Sequence, residues 1–391
     1  MKIELLAFLC SALVPAATTA LESWTFAEVD AEVPIAVSDH SGVRSPDNGL
    51  VYLAGGCDHP SGNVWNADFA TFICDSITDA FFAFDPATKT FETLESLPRP
   101  RYRHSSAIVD GKVFLLGGRT LFDDLIPEID MYDIATKTWS TPSSLPAEFA
   151  VSDHAGFGSS DIYIAGGYDQ NYTAMSRVVK ISGDGQTFTR VGDLLEERGD
   201  VFGVATKDGT KAYVAGGFTH TNWCKPLTSA EEYDFSSETW TSLPDLVDAR
   251  GEILLVENRG HLYAIGGEGP LDEGVCASNN YTIATKTVAT DRIEILNDGE
   301  TAWKILEDFP EERFRFAAVG VEEDDVIYTF GGQVKFDDSC QCFKTTNKVF
   351  VYGKPEDVAD KGTIVEADSG SAKSHYAAVA IFALGLVVTL F

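Results

Sequence analysis

The sequence predicts an all-β protein built as a closed ring of six similar units. A Gly-Gly doublet ends a short apolar run six times in the 391 residues. Glycine (34 residues) and aromatic residues (11%) are abundant, as in proteins with many short strands and tight turns. Few stretches show helical spacing of apolar residues. Units of this size, about 50 residues, cannot bury their apolar faces alone, so they must stack on one another. The doublets end at Gly56, Gly118, Gly167, Gly217, Gly267 and Gly332.

Each unit is predicted to contain four strands. The doublet closes the second strand, in runs such as VYLAGG and IYIAGG, and one strand precedes it. Further along, a bulky apolar residue is followed seven positions later by an aromatic one, and the sequence between them (YDIATKTW, for example) is typical of a two-stranded hairpin. These pairs are Phe84 with Phe91, Tyr132 with Trp139, Ile181 with Phe188, Tyr233 with Trp240, and Leu296 with Trp303.

This combination of a Gly-Gly doublet with Tyr and Trp seven residues apart resembles the kelch repeat, which builds β-propellers. The resemblance extends from about Glu22 to Tyr352, with departures at Ile181 and Leu296. It implies a six-bladed β-propeller of four-stranded antiparallel blades over residues 21–353. The recurrent His40, His104 and His154 are interpreted as repeat residues, not as metal ligands.

The ring is expected to close through its N-terminal strand. The sixth unit has no evident fourth strand after Tyr352, whereas the segment SWTFAEV near the N-terminus resembles the fourth strands of other units, with Trp24 in the place of Trp139 and Trp240. Adding this strand to the last blade leaves no open sheet edge between the first and last units.

One face of the ring is predicted to carry all the insertions. The spacing from the third strand to the next doublet is constant at 33 to 35 residues, whereas the loop between strands two and three is longest in units one, five and six. These units are neighbours in a closed ring, so their loops form a candidate binding face. The loops between strands two and three also hold the two glycosylation sequons, at Asn171 in unit three and Asn280 in unit five. They also hold six cysteines, Cys57, Cys74, Cys224, Cys276, Cys340 and Cys342. Cys57 and Cys74 form a natural pair within one loop, and the other pairings stay open.

Both ends of the chain indicate the secretory pathway. Residues 1–20 have the composition of a cleaved signal peptide, which implies an oxidising compartment and paired cysteines. Residues 354–371 are expected to form an acidic flexible stalk. The apolar tail in 372–391 predicts a lipid-anchor signal with attachment at Ser369 or Gly370, the alternative being a short membrane helix. The expected location is the extracellular face of the cell surface.

Six arginines stand out at the connections between units. A ring of guanidinium groups there can clamp carboxylates or sulfates through bidentate hydrogen bonds. The alternative is that each arginine pairs with a nearby acid, such as Glu197, Asp248 or Glu311, and holds the blades together. The six candidates are Arg101, Arg103, Arg198, Arg250, Arg313 and Arg315.

The formal charge of −31 argues against nucleic acid or an anionic membrane surface as a partner. We therefore expect a monomeric recognition module that binds an extracellular protein or glycan through the loops of units five, six and one, without a cofactor, metal or catalytic residues. The resemblance leaves an enzymatic alternative, since it also covers sugar mutarotases and copper oxidases of the galactose oxidase type. The oxidase reaction needs two histidines and two tyrosines around copper, and only His59 and His220 lie in the insertion loops.

Overall fold

A computed structural model describes residues 24–59, 61–66, 71–219, 225–270 and 288–365. Six antiparallel sheets form the blades of a β-propeller, which confirms the predicted fold. The N-terminal strand is β1 (Thr25–Glu28). Blade 1 and its loop contain β2 (Ser41–Arg44), β3 (Val51–Ala54), β4 (Asn63–Asn66), β5 (Thr71–Ile73), β6 (Phe81–Asp85) and β7 (Thr90–Thr93). Blade 2 contains β8 (Ser105–Val109), β9 (Lys112–Leu116), β10 (Glu128–Asp133) and β11 (Thr138–Ser144), and a 3-10 turn (Ala147–Phe149) follows. Blade 3 contains β12 (Ala155–Gly158), β13 (Ile162–Ala165), β14 (Val178–Ile181) and β15 (Phe188–Val191).

The second half of the ring repeats this plan. Blade 4 contains β16 (Gly203–Ala205), β17 (Lys211–Ala215), β18 (Ala230–Asp234) and β19 (Thr239–Ser242). Blade 5 and its loop contain β20 (Leu254–Asn258), β21 (His261–Ile265), β22 (Glu268–Gly269), β23 (Val288–Ala289), β24 (Ile293–Leu296) and β25 (Lys304–Ile305). Blade 6 and its loops contain β26 (Arg313–Phe314), β27 (Ala317–Val321), β28 (Val326–Phe330), β29 (Gln333–Asp337), β30 (Cys342–Thr345) and β31 (Val349–Gly353). The chain continues with α1 (Pro355–Val358) and β32 (Thr363–Val365). Within the described segments, no apolar helix has the length needed to span a membrane.

The N-terminal strand closes the ring as predicted. β1 pairs with β31 in blade 6, with Phe26 opposite Tyr352, and the ring of Trp24 lies 5.0 Å from that of Tyr352. The sequence predicts a flexible stalk from residue 354 onward, but α1 and β32 lie in that stretch. β32 pairs with the outer edge of β1, whose backbone groups would otherwise lack strand partners.

The Gly-Gly doublets are structural, as expected. Gly55 and Gly56 have φ values of 61° and 109°, in the region that favours glycine. The amide of Gly56 donates to the carbonyl of Arg101 in the next connection (2.8 Å), and a Cβ at Gly55 would lie 2.5 Å from that same oxygen. The other five doublets make the same contact, so each one joins its blade to the next connection.

The core lies between neighbouring blades and within the predicted hairpins. Tyr132 is opposite Trp139 in blade 2, with ring centroids 5.1 Å apart, and Tyr233 is opposite Trp240 in blade 4 at 4.9 Å. Between blades, Phe84 of blade 1 contacts Phe330 of blade 6. The seven-residue spacing thus marks the paired residues of strands three and four.

Candidate functional site at the centre and on the insertion face

Every blade begins with a connection of the same geometry. The residue whose carbonyl accepts the glycine amide is followed, two positions later, by a charged residue with φ between 49° and 56°. These charged side chains converge from all six blades on the propeller axis and line a common cavity. We call this set the central charged ring: Asp39, Arg103, Asp153, Asp200, Glu252 and Arg315.

Four of the six candidate arginines lie outside this ring, at the carbonyl position, and are at most 1% exposed. Arg198 donates to the carbonyl of Gly216 (2.6 Å) and pairs with Glu231 on the third strand of blade 4 (2.7 Å). Arg250 makes the equivalent contacts, with Glu294 at 2.8 Å. In blade 2 the same pair is Arg101 with Asp130. In blade 6, Arg313 pairs with Glu311 and lies over the ring of Phe350 (4.8 Å). We call these residues the bracing arginines: Arg101, Arg198, Arg250 and Arg313.

The residue opposite each bracing position supports a structural role. Where the connection has arginine, the third strand carries an acid in three of four blades. Where the connection has valine, at Val37 and Val151, the equivalent third-strand residues are Phe82 and Val179. The ligand-binding role considered for the bracing arginines therefore does not fit their positions. The partners of Arg101, Arg198 and Arg250 also differ from the nearby acids that the sequence suggested.

The two remaining candidates, Arg103 and Arg315, do reach the centre, but both are paired there. Arg103 lies between Asp39 (3.7 Å) and Asp153 (3.5 Å), and Arg315 lies between Asp39 (3.5 Å) and Glu252 (2.6 Å). The cavity that they line has a volume of about 20 Å³, comparable with a single water molecule. The centre is therefore a packed ion-pair network.

Carboxyl groups outnumber guanidinium groups in this network. Burial, with the charges of Glu252 and Asp153 nearby, raises the pKa of Asp200 well above its ordinary value. Burial and the charge of Glu252 likewise raise the pKa of Glu268, the residue after the blade 5 doublet. Asp200 accepts a hydrogen bond from the Tyr168 hydroxyl (2.9 Å). Burial and mutual repulsion thus shift these carboxyl groups towards their protonated form.

The residues that follow the doublets close the insertion side of the ring. Tyr168 lies over Gly199, where a Cβ would come within 2.3 Å of its ring, and Phe218 lies over Gly251, where the distance would be 1.9 Å. Gln333 donates to Ser38 of the next blade (3.0 Å). Each of these side chains thus reaches across to its neighbouring blade, and glycine is needed opposite the aromatic ones.

Three buried histidines lie just beneath the charged ring. His104 is hydrogen-bonded to Ser41 of the preceding blade (2.9 Å), and His154 is hydrogen-bonded to Ser105 (2.7 Å). For His40 the equivalent position is Ala317, and neither nitrogen of His40 has a hydrogen-bond partner among the described residues. Burial lowers the pKa of His40 and of His154 to about 3, so both are neutral. No described group of His, Cys, Asp and Glu has the geometry of a metal site.

The opposite end of the axis opens into a larger cavity of about 550 Å³, which is lined by the first strands of all six blades. Both basic side chains that line it are paired, with Arg44 3.1 Å from Glu323 and Lys207 2.7 Å from Glu322. The turns that surround this opening carry none of the long insertions.

The long loops of blades 6 and 1 form a separate five-stranded sheet on the insertion face, in the order β26-β29-β30-β4-β5. We call this sheet the loop sheet. Phe343 of β30 contacts Phe314 and Phe336 (both 5.2 Å), and Ala289 from the blade 5 loop belongs to the same buried cluster. The loops of blades 5, 6 and 1, which the sequence predicts to be neighbours in the ring, are therefore packed together.

Two disulfides lie in the described parts of these loops. Cys57 is bonded to Cys74, as predicted, and Cys340 is bonded to Cys342, a pairing that the sequence left open. The sequon residue Asn171 is exposed on the loop of blade 3. Several predictions concern residues outside the described segments: the signal peptide, Cys224, Cys276, Asn280, His220, and the anchor sites Ser369 and Gly370.

Comparison with known proteins agrees with this architecture. The Kelch motif family model matches residues 100–146 and 204–247, which cover blade 2 and nearly all of blade 4. The chain is 29% identical to Kelch-like protein 25 of Xenopus tropicalis over 160 residues, 41% of this chain and 26% of the relative. It is 27% identical to Kelch-like protein 40 of Mus musculus over 202 residues, 51% of this chain and 31% of the relative. It is 25% identical to Kelch repeat protein M-T8 of Myxoma virus (strain Lausanne) over 258 residues, 65% of this chain and 45% of the relative.

The similarity therefore spans less than half the length of each of these relatives. Among solved structures, YjhT superimposes with a TM-score of 0.65 at 15% identity, covering 82% of this chain and 96% of its own. That likeness concerns the fold. Together the motif matches and the relatives support a kelch-repeat protein with a propeller fold.

Proposed function

We propose that this kelch-repeat propeller is a recognition module of the extracellular cell surface, which binds a partner protein or glycan through the packed loops of blades 5, 6 and 1. The observation that carries the proposal is the loop sheet. It adds five strands to one face of a propeller whose opposite turns carry no long insertions. Loops on a rigid scaffold are where binding residues usually lie.

The contacts within the loop sheet favour recognition by a preformed surface. β30 of blade 6 pairs with β4 of blade 1, and the Thr345 hydroxyl donates to the carbonyl of His59 (3.0 Å). The Cys57–Cys74 and Cys340–Cys342 disulfides constrain the same loops. A surface that is already ordered loses little conformational entropy when a partner binds.

The centre of the ring favours binding over sugar chemistry. A small-molecule site usually has a volume of about 300 to 1,000 Å³, whereas the cavity lined by Arg103 and Arg315 has about 20 Å³. Both guanidinium groups are already paired with carboxylates. A mutarotase would need an acid, a base and an anion clamp that its substrate can reach.

The extracellular location rests on the sequence of both chain ends and is supported by the two disulfides. Disulfides persist in the secretory pathway and outside the cell, and are rare in the cytosol. Attachment through residues 372–391 would hold the propeller near a membrane, with the insertion face available to partners.

Glycan masking tests which face binds. Asp337→Asn introduces a glycosylation sequon in the loop sheet, since Ser339 follows two residues later. Asp208→Asn does the same at the blade 4 turn of the opposite face, next to Thr210. Cells that express the full chain are screened against arrayed extracellular domains and arrayed glycans. Each ligand found is then measured against both variants.

We expect the sugar at position 337 to abolish binding and the sugar at position 208 to leave it unchanged. Occupancy of both sequons, measured by the shift in mass, and equal surface expression provide the control. Binding that is retained in the variant glycosylated at position 337 and lost in the variant glycosylated at position 208 would contradict the proposal. It would place the binding site at the face that contains the 550 Å³ cavity.

A further inference from the structure

The loop of blade 2 ends in the most exposed large apolar side chain among the described residues. Phe122 is 85% exposed and its neighbour Leu121 is 42% exposed, whereas the other exposed apolar residues do not exceed 57%. The loop projects from the insertion face beside blade 1. An aromatic side chain left in water on a loop tip is a candidate anchor for a partner.

The backbone of this tip is fixed by its own turn. The amide of Thr120 donates to the carbonyl of Asp124 (2.9 Å), and the amide of Asp123 donates to the carbonyl of Thr120 (2.9 Å). The Thr120 hydroxyl accepts from the amides of Phe122 (3.2 Å) and Asp124 (3.3 Å). The segment Thr120–Asp124 is therefore a closed turn that holds Phe122 outward.

Neighbouring residues hold the base of the turn. Fully buried Arg119 donates to the carbonyl of Asp123 (2.8 Å), and its guanidinium lies 3.9 Å from the ring of Tyr172. The Tyr172 hydroxyl donates to the Asp123 carboxylate (2.7 Å). Gln170 of blade 3 donates to the Asp123 carbonyl (2.9 Å) and accepts from the amide of Leu125 (2.9 Å). A loop that is already held in one conformation loses little conformational entropy when it binds a partner.

The charges around the tip define the partner. Asp123 and Asp124 follow the apolar pair. The Asp123 carboxylate lies 3.5 Å from the guanidinium of Arg119, so Asp124 carries the negative charge that faces a partner at the tip. No basic residue lies between Thr120 and Leu125, and the whole chain carries a formal charge of −31. A partner surface that is complementary to this tip therefore has apolar and basic groups side by side.

We propose that Leu121 and Phe122 form a preorganised apolar tip that inserts into an apolar pocket rimmed by lysine or arginine on a partner protein. This inference rests on the proposed recognition function and adds a second contact point, on blade 2, with a stated partner chemistry. It is tested separately from the loop sheet, because none of the variants below touches residues of blades 5, 6 or 1.

The test uses a phage-displayed library of random twelve-residue peptides, selected on cells that express the full chain. Enriched peptides are expected to combine aliphatic or aromatic residues with lysine or arginine. Phe122→Ala is expected to weaken their binding at least tenfold. The matched control is Leu195→Ala, which changes another exposed apolar residue (57%) and is expected to alter binding less than twofold.

Two further variants test whether binding depends on the fixed conformation and the charge of the tip, and not only on its apolar surface. Gln170→Ala removes both of its hydrogen bonds to the tip without changing the apolar pair, and we expect binding to weaken by about threefold to tenfold. Asp124→Lys is expected to weaken the basic peptides at low salt and to shift selection away from lysine and arginine.

Equal enrichment by the wild type and Phe122→Ala, or enriched peptides without basic residues, would overturn the inference. So would two other results: Phe122-dependent binding to neutral phosphatidylcholine vesicles, which would assign the tip to a membrane, and Phe122-dependent dimerisation, which would assign it to a second copy. Ligand binding that the sugar at position 337 does not affect, together with peptide binding that depends on Phe122, would contradict the proposed function alone.

Discussion

Replacing Arg198 and Glu231 together by apolar residues should lower the free energy of unfolding far less than the sum of the losses caused by the two single replacements. Both side chains are almost fully buried and their charged ends lie 2.7 Å apart. Blade 3 has Val151 and Val179 at the two equivalent positions, which shows that the fold accepts an apolar pair there. The perturbation is Arg198→Met, Glu231→Leu and the double variant, chosen to preserve volume.

The expected magnitudes follow from the contacts that each variant loses. Either single variant leaves an uncompensated buried charge, which costs about 3 to 5 kcal/mol. Glu231 also accepts from the amides of Leu195 (2.7 Å) and Glu196 (3.2 Å), and Arg198 donates to the carbonyl of Gly216, so the double variant still loses hydrogen bonds. We expect the double variant to cost no more than about 3 kcal/mol, so that the pair is coupled by at least ~3 kcal/mol.

Urea unfolding of the wild type and the three variants measures the free energies, and the slope with urea checks that the same surface unfolds. The corresponding cycle on Arg250 and Glu294 in blade 5 provides a matched repeat, since its ion pair has the same geometry at 2.8 Å. Additive costs, or single variants within about 1 kcal/mol of the wild type, would refute the bracing role.

Three further outcomes follow from the centre of the ring. Ala317→Ser should raise stability by about 1 kcal/mol in urea unfolding, because it supplies His40 with the hydroxyl that Ser41 gives His104; no gain would contradict this. Burial raises the pKa of Asp200, so the folded state holds the Asp200 proton more tightly than the unfolded chain does, and the contribution of this group to native stability falls as the pH rises above about 4. Asp200→Asn should therefore gain stability relative to the wild type as the pH is raised above about 4 in thermal melts, and a difference that stays constant with pH would count against the raised pKa. Gly251→Ala should cost about 1 to 3 kcal/mol because its Cβ would lie 1.9 Å from the ring of Phe218, and Phe218→Ala in the same chain should recover part of that loss.

The fold was predictable because its signals are local and repeated. The doublets mark second strands, and the spacing of Tyr132 and Trp139 marks a hairpin whose two residues do lie opposite each other. The closing strand was found from Trp24 because its segment resembles other fourth strands. The pairing of the loop sheet was not predictable, because β30 and β4 come from opposite ends of the chain and no repeat fixes their register.

The arginines show where reasoning from the sequence fell short. Arg101 and Arg103 are two residues apart, yet one is buried within blade 2 and the other reaches the axis, since the positive φ of Arg103 turns its side chain. A signal within the chain could have separated them. Asp130, Glu231 and Glu294 occur opposite arginines and Val179 occurs opposite a valine, so an acid in the third strand marks the bracing arginine in three of the four connections that have one.

Hydrogen exchange of the full chain, alone and bound to the partner found by the array screen, tests the central claim most directly. Binding should slow exchange at backbone amides of the loop sheet, within residues 313–314, 333–337 and 342–345, where the strands of the insertions lie. Amides at the turns of the opposite face, such as 206–210, should not change. Protection confined to those turns, with the loop sheet unaffected, would contradict a binding face formed by blades 5, 6 and 1.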